Sequence, residues 1–334
     1  MAEAAAPAAK TQSWQPLFWG LAAFLVCPFL PFFELLIPIQ QTLLLLVPII
    51  AACSIVGWKL GGRMALALIW LAFSVWMLLQ HAGSPGTQYD QMARGWAILL
   101  AASFGLVSLW STAMPFFSRA LISVGLSAGI GFLLALSSPS GIARFQHAAE
   151  EELTRRVSIT VANIQEGRDT PEWQQLAARA PVLDTWNDDS ETMMRGIPAV
   201  AATLLPALLA LESLAALALG WGAYRRLSPV QIGPRLSPLT EFTFNDQLIW
   251  GLAVGATLCL LPAFENGRNA GYNLLLFFGA LYLIRGIGVL AWMSHGRYVY
   301  IVILSILPQI FLIVTLALGL GDTWLDLRKR AKPG

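Results

Sequence analysis

The length and spacing of the apolar runs constrain this chain more than any motif in it. Near-continuous apolar stretches fall at about 17–38, 42–58, 64–80, 95–114, 119–137, 197–224, 246–264, 272–294 and 298–320. A helix needs ~20 largely apolar residues to cross a hydrocarbon core of about 30 Å, and most of these runs are close to that length. Inside lipid the backbone has no water to bond, so each spanning segment must satisfy its own peptide groups as a helix. The expected fold is all-α, a polytopic transmembrane helical bundle of eight or nine spanning helices with one helical extramembrane insert. Residues 1–137 supply the N-terminal transmembrane helices, 138–196 the insert, and 197–334 the C-terminal transmembrane helices with a short basic tail. The count depends on the first two runs. Pro28, Pro31, Pro38 and Pro48 interrupt them and only Ile39, Gln40 and Gln41 separate them. They form either a kinked hairpin or one span plus a re-entrant piece. The segment before the first run lacks the basic start and small-residue exit of a cleaved signal, so that run is expected to stay as an anchor.

Composition agrees with a lipid-facing surface. Charged residues make up 12% of the chain, against about a quarter in soluble domains. A net charge of +2, with no basic stripe, excludes a nucleic-acid partner. Cys27, Cys53 and Cys259 all lie in apolar runs and form no CxxC motif, so neither a disulfide framework nor a thiolate metal site is expected. Trp19, Trp58, Trp96, Trp110, Trp221, Trp250, Trp292 and Trp324 fall near run ends, as an interfacial belt would. Trp70 and Trp76 lie mid-run and read as packing residues. Gly125 and Gly129 form a GxxxG pair, read as helix packing within the chain or as a dimer face. Basic clusters mark three segments as cytoplasmic: Lys59 with Arg63, Arg225 and Arg226 with Arg235, and the tail from Arg328 to Lys332. With nine spans the first two share a side and the tail falls opposite, which conflicts with the positive-inside rule.

The insert carries its own pattern. Ile142, Phe145, Ala149, Leu153, Val157, Val161 and Ile164 recur at helical spacing, with Glu150, Glu151, Glu152, Arg155 and Arg156 between them. One amphipathic helix over 142–165 follows, lying on the membrane or against the bundle through Phe145, Leu153 and Val161. Asp169-Thr170-Pro171-Glu172 reads as the start of another helix, with Pro at its first position. Trp186 to Glu191 is acidic and reads as a loop. The segment is too short and too polar for an independent enzyme domain. It is either a helical cap on the membrane surface or a module that binds a membrane-protein partner.

No catalytic, cofactor or metal site is expected, and the chain does not read as an enzyme. His81, His147 and His295 are isolated, and no nucleotide-binding loop is present. The informative residues are ionisable groups within apolar runs: Glu34, Glu212 and Arg285. Such groups are costly in lipid and face a bundle interior, paired or functional. Glu212 and Arg285 lie near the centres of their runs, so they are expected to interact with each other. Glu34 is the rival partner for Arg285.

The C-terminal part has a recognisable set of segments: Tyr-Arg-Arg-Leu-Ser at 224–228, Phe-Asn-Asp-Gln-Leu-Ile-Trp at 244–250, Asn-Leu-Leu-Leu-Phe-Phe-Gly from Asn273, Leu-Tyr-Leu-Ile-Arg-Gly from Leu281, and Leu-Gly-Asp-Thr-Trp-Leu-Asp-Leu-Arg from Leu320. They resemble the YybS-like family of uncharacterised bacterial polytopic membrane proteins, a domain of unknown function. The resemblance is strongest over the last hundred or so residues and absent over 138–196. It implies a bacterial inner-membrane location. Grouping of that family with the substrate-binding membrane components of energy-coupling-factor vitamin transporters implies a small-molecule-binding bundle. Two functional classes are therefore expected: a transporter-like or small-molecule-binding membrane component, or a non-transporting scaffold or assembly factor.

Overall fold

A computed structural model describes residues 14–26, 36, 38–80, 85–137, 141–180, 182–294 and 308–330. Glu34, Cys27, His81 and His295 lie outside the described residues. Among those described the regular structure is helical: α1 (Gln15–Val26), α2 (Ile39–Lys59), α3 (Met64–Leu79), α4 (Gln88–Trp110), α5 (Phe116–Leu136), α6 (Gly141–Arg168), α7 (Pro171–Arg179), α8 (Val182–Leu227), α9 (Ile249–Leu260), α10 (Arg268–Met293), α11 (Pro308–Leu325) and α12 (Leu327–Arg330), with short 3-10 turns between α8 and α10. Each apolar run carries one of these helices. Five are long and apolar enough to cross a membrane, in α2, α4, α5, α8 and α10, while α1, α3, α9 and α11 contribute shorter apolar segments.

Local sequence sets several helix ends. Pro38, extended at φ −67° and ψ 151°, opens α2, while Pro48 sits within it without ending it. The helix closes where Gly61 takes φ +96°. There Gly61 N–H donates to Trp58 O (3.0 Å) and Gly62 N–H to Gly57 O (2.8 Å), the paired closure that a left-handed glycine permits. Thr170 caps α7, its hydroxyl accepting from Trp173 N–H at 3.4 Å, with Pro171 first in the helix as expected.

α8 organises the molecule. It runs beside α2, with Gln41 against Glu212, Ile49 against Gly220 and Gly57 against Tyr224. It also runs beside α4, where Trp96 meets Ser213 and Phe104 meets Trp221. Lipid offers little hydrophobic incentive for helices to associate, so close packing and polar bonds must hold them. Gly57 provides such packing: a side chain there would overlap the Tyr224 hydroxyl. Trp221 is fully buried between Phe104 and Phe116, at ring-centre distances of 5.8 and 5.7 Å. The Arg119 guanidinium lies 4.7 Å from the Trp221 ring. It donates to the carbonyls of Ser111, Thr112, Met114 and Ile232 at 2.8–3.3 Å. A buried cation is tolerated there because the carbonyl-rich end of α4 supplies partial negative charge.

The insert packs on the opposite end. α6 is continuous across the expected range and lies against α8 through Ala149, Leu153, Val157 and Val161, all buried, with Phe145 half-buried. The acidic stretch Trp186–Glu191, expected as a loop, is the beginning of α8, and the boundary at 196/197 falls inside that helix. Pro198 and Pro206 lie within α8, which continues through both of them.

Other expectations are corrected. Trp221 is a core residue and Trp96 an internal hydrogen-bond donor, whereas Trp110, Trp250 and Trp324 are largely exposed. Trp76, expected to pack, is 52% exposed. Gly125 and Gly129 have open space where a side chain would project, so they do not mediate packing within the chain. The basic clusters also fall into place. Gly57 meets Tyr224, so Lys59 lies at the same end as Arg225 and Arg226. Arg328 donates to Thr240 and Phe242 carbonyls at 2.9 and 3.0 Å. Arg328, at the start of the tail, is thereby tied to the segment that follows Arg235.

Candidate functional site

The two intramembrane charges expected to pair have separate partners. Arg285, on α10, is 3% exposed. Its Nε donates to Asp322 Oδ2 at 2.9 Å and its Nη1 to Asp246 Oδ1 at 2.9 Å. Arg328 Nη2 reaches the same Asp322 oxygen at 2.6 Å. Two guanidiniums and two carboxylates thus close a cluster between α10, α11, α12 and the turn before α9. Asp322, which Asp326 and Arg328 follow in sequence as they would at a solvated helix end, is buried at its centre. The helices approach closely because Gly286 faces Gly319; a methyl group on either would overlap the other helix's backbone. Every charge in this cluster is compensated, which is the arrangement of a structural clasp.

Glu212 is placed otherwise. It is 5% exposed, and its Oε2 accepts from Gln41 Nε2 at 3.0 Å. Oε1 has no hydrogen-bond partner among the described residues. The Gln41 carbonyl oxygen in turn accepts from the Tyr89 hydroxyl at 2.5 Å. Beside this chain Trp96 Nε1 donates to Ser213 Oγ at 2.9 Å. Three helices therefore bring a carboxylate, an amide, a phenol and an indole together. Of these only Glu212 was singled out by sequence. Gln41 read as a spacer between runs and Trp96 as an interfacial residue. The available signal was Gln40-Gln41 at the start of an otherwise apolar helix.

The polar chain borders a cavity of about 470 Å³. Gln41, Tyr89 and Trp96 line one side. Leu44, Leu45, Leu99, Leu134, Leu205 and Leu209 make apolar walls, and Gly141, Arg144 and Phe145 of α6 bound it at the insert. Its size falls within the ~300–1,000 Å³ of small-molecule sites. Turned so that its amide oxygen faces the guanidinium, Gln88 accepts from Arg144 at 2.9 and 3.2 Å. Farther along α6, Glu152 is 3% exposed and bonds both Arg155 and Arg156 at 2.7–3.0 Å. Burial acts to raise the Glu152 carboxyl, but the two guanidiniums outweigh it and hold the group below its ordinary value. Arg156 also lies 5.0 Å from the Tyr89 ring, which connects the insert to the polar chain. The expected contact surface of α6 is thus present, and it adjoins the cavity.

Residues 183–323 match the sequence model of a family described as predicted membrane protein (DUF2232). The matched part includes Glu212, Leu205 and Leu209 from the cavity region and all of Arg285, Asp246 and Asp322; Gln41, Tyr89, Trp96 and Arg144 lie outside it. No curated protein and no solved structure matches the chain.

Proposed function

We propose that this membrane protein is a small-molecule-binding component of a bacterial inner membrane, with the cavity between α2, α4, α5, α6 and α8 as its binding site. The observation that carries this reading is the cavity's composition: apolar walls ending on the hydrogen-bonded chain Tyr89–Gln41–Glu212. Buried polar groups beside an apolar space orient a ligand and provide selectivity. An intramembrane carboxylate with no salt bridge among the described residues is expensive to keep, and such groups mark functional sites. The role is binding or transport and not catalysis. The basic end of α2 and α8 faces the cytoplasm on this reading, in line with the positive-inside rule, and the charged insert lies outside the bilayer on the other side. The finer resemblance to YybS-like proteins rests on the C-terminal segments quoted above and agrees with this location.

The test is ligand retention. Protein purified in lipid nanodiscs is extracted and its small molecules are identified by mass spectrometry. The native chain should carry a compound that is lost from Leu209→Trp, which fills the cavity, and reduced in Gln41→Ala. Identical extracts from all three proteins would refute the reading. A scaffold role has one observation in its favour: Leu176 and Met193 on the insert are 49% and 67% exposed. That reading expects a partner protein to copurify and to be lost from Leu176→Asp with Met193→Asp.

A further inference from the structure

The cavity is asymmetric in charge, and this limits what it accepts. Its deep side rests on Gln41, behind which stands the Glu212 carboxylate, which makes no salt bridge among the described residues. Its rim carries Arg144, which is exposed and bonds the neutral Gln88 amide, with no carboxylate partner among the described residues. Arg144 lies in the first turn of α6, where unpaired N–H groups and the helix dipole add positive potential. Glu152, the nearest buried carboxylate on that helix, is already engaged by Arg155 and Arg156. The asymmetry therefore favours a negative group at the rim and disfavours one at the deep side.

The cavity also extends between two helices. α4 and α5 are joined where Ser127 donates to Ser103 at 3.1 Å. Farther along, both helices present glycine to the cavity, Gly95 and Gly131, and nothing lies within 4 Å of where either side chain would project. A slot without side chains between two apolar helices suits a hydrocarbon chain. A cavity of about 470 Å³ suits one such chain.

We infer, on the basis of the binding role proposed above, that the site takes a single-chain amphiphile with an anionic head, phosphate or carboxylate, held at Arg144 and Gln88. The chain passes Leu134, Leu205 and Leu209 and runs toward Gly95, Gly131 and Leu99.

The experiment uses the full chain in nanodiscs and a dodecyl phosphate carrying a photoreactive diazirine on its chain, with labelled residues mapped by mass spectrometry. Labels are expected at 92–99, 131–135 or 205–209 and should disappear in Leu209→Trp. Dodecyl phosphate and dodecanoate should each compete at concentrations at least about tenfold below those needed for dodecyl maltoside or dodecyltrimethylammonium, as a charge-assisted hydrogen bond implies. Arg144→Gln should weaken dodecyl phosphate about tenfold and leave dodecyl maltoside unchanged. Inorganic phosphate should not compete. Cavity labelling that ignores head charge and Arg144 would overturn this inference and leave the binding role standing. Competition by inorganic phosphate alone would overturn the amphiphile in favour of a free anion. Absence of label from the cavity in the native chain would overturn the inference and count against the binding role as well.

Discussion

Around α8, Glu212 is buried with one oxygen on a neutral amide and the other unbonded. Around α10, Asp322 is buried to the same degree but is held by two guanidiniums. One region holds a carboxylate that makes no salt bridge among the described residues, beside a cavity, and the other pairs every charge it buries. In a low-dielectric surrounding the second arrangement holds helices together, whereas the first lowers stability, and on the binding role proposed above it is retained for its ligand. The contrast separates a clasp from a site without reference to conservation.

The comparison breaks most readily at the two carboxylates. Asp322→Asn leaves Arg285 and Arg328 without their shared anion, a loss of about 3–5 kcal/mol for a broken buried pair. Thermal unfolding in detergent should show a sharply lowered midpoint, together with poor recovery of folded protein. Glu212→Gln keeps an acceptor for Gln41 and removes a buried carboxylate that makes no salt bridge among the described residues, so its midpoint should hold or rise. Equal losses from the two variants would erase the distinction. A smaller effect is expected at the helix crossing. Gly286→Ala forces a methyl group against the Thr315 carbonyl, and overpacking of this kind costs about 1–3 kcal/mol. The same unfolding measurement should register it, with ligand binding at the cavity retained.

The smallest effect concerns pH and the insert. Because Glu152 is held below its ordinary value in the folded protein, its contribution is complete above the unfolded value and fades as pH falls through the folded one. Protection factors along α6, exchange rates normalised to the unfolded chain at the same pH, should therefore fall only in the acid range below the ordinary glutamate value. In Glu152→Gln protection should be lower at neutral pH, and that acid-dependent fall should vanish. An α6 equally protected in both proteins across that range would show that its docking rests on Leu153 and Val157 alone.

How much of this was readable in advance follows the physics of each signal. Apolar runs report helices directly, because a span has only one way to satisfy its backbone, and each run holds a helix. The amphipathic insert was visible for a similar reason, since Leu153 and Val161 repeat with the helical period. Pairing of charges was not visible. Depth within a run placed Glu212 and Arg285 at comparable levels, but azimuth decides contact, and Arg285 turns toward Asp322. Asp322 itself looked like a helix end because Asp326 and Arg328 follow it. The acidic start of α8 was misread as a loop because polarity was taken for irregularity, although polar residues make sound helix outside lipid. Trp221 was assigned to the membrane surface by position alone, and only three-dimensional packing against Phe104 and Phe116 shows it inside.

α8 spans 46 residues as one helix, about 69 Å at the rise of an α-helix. Its proline-bearing turn at Pro206 lies next to Leu205 and Leu209, at the cavity wall, so the helix can be regarded as a lever whose fulcrum is the cavity. The arm from Val182 to that point is about 36 Å long, so a change of ~10° in its angle would sweep its tip roughly 6 Å. The insert rides on that arm, and a small adjustment at the cavity wall would be magnified into a large displacement of the insert.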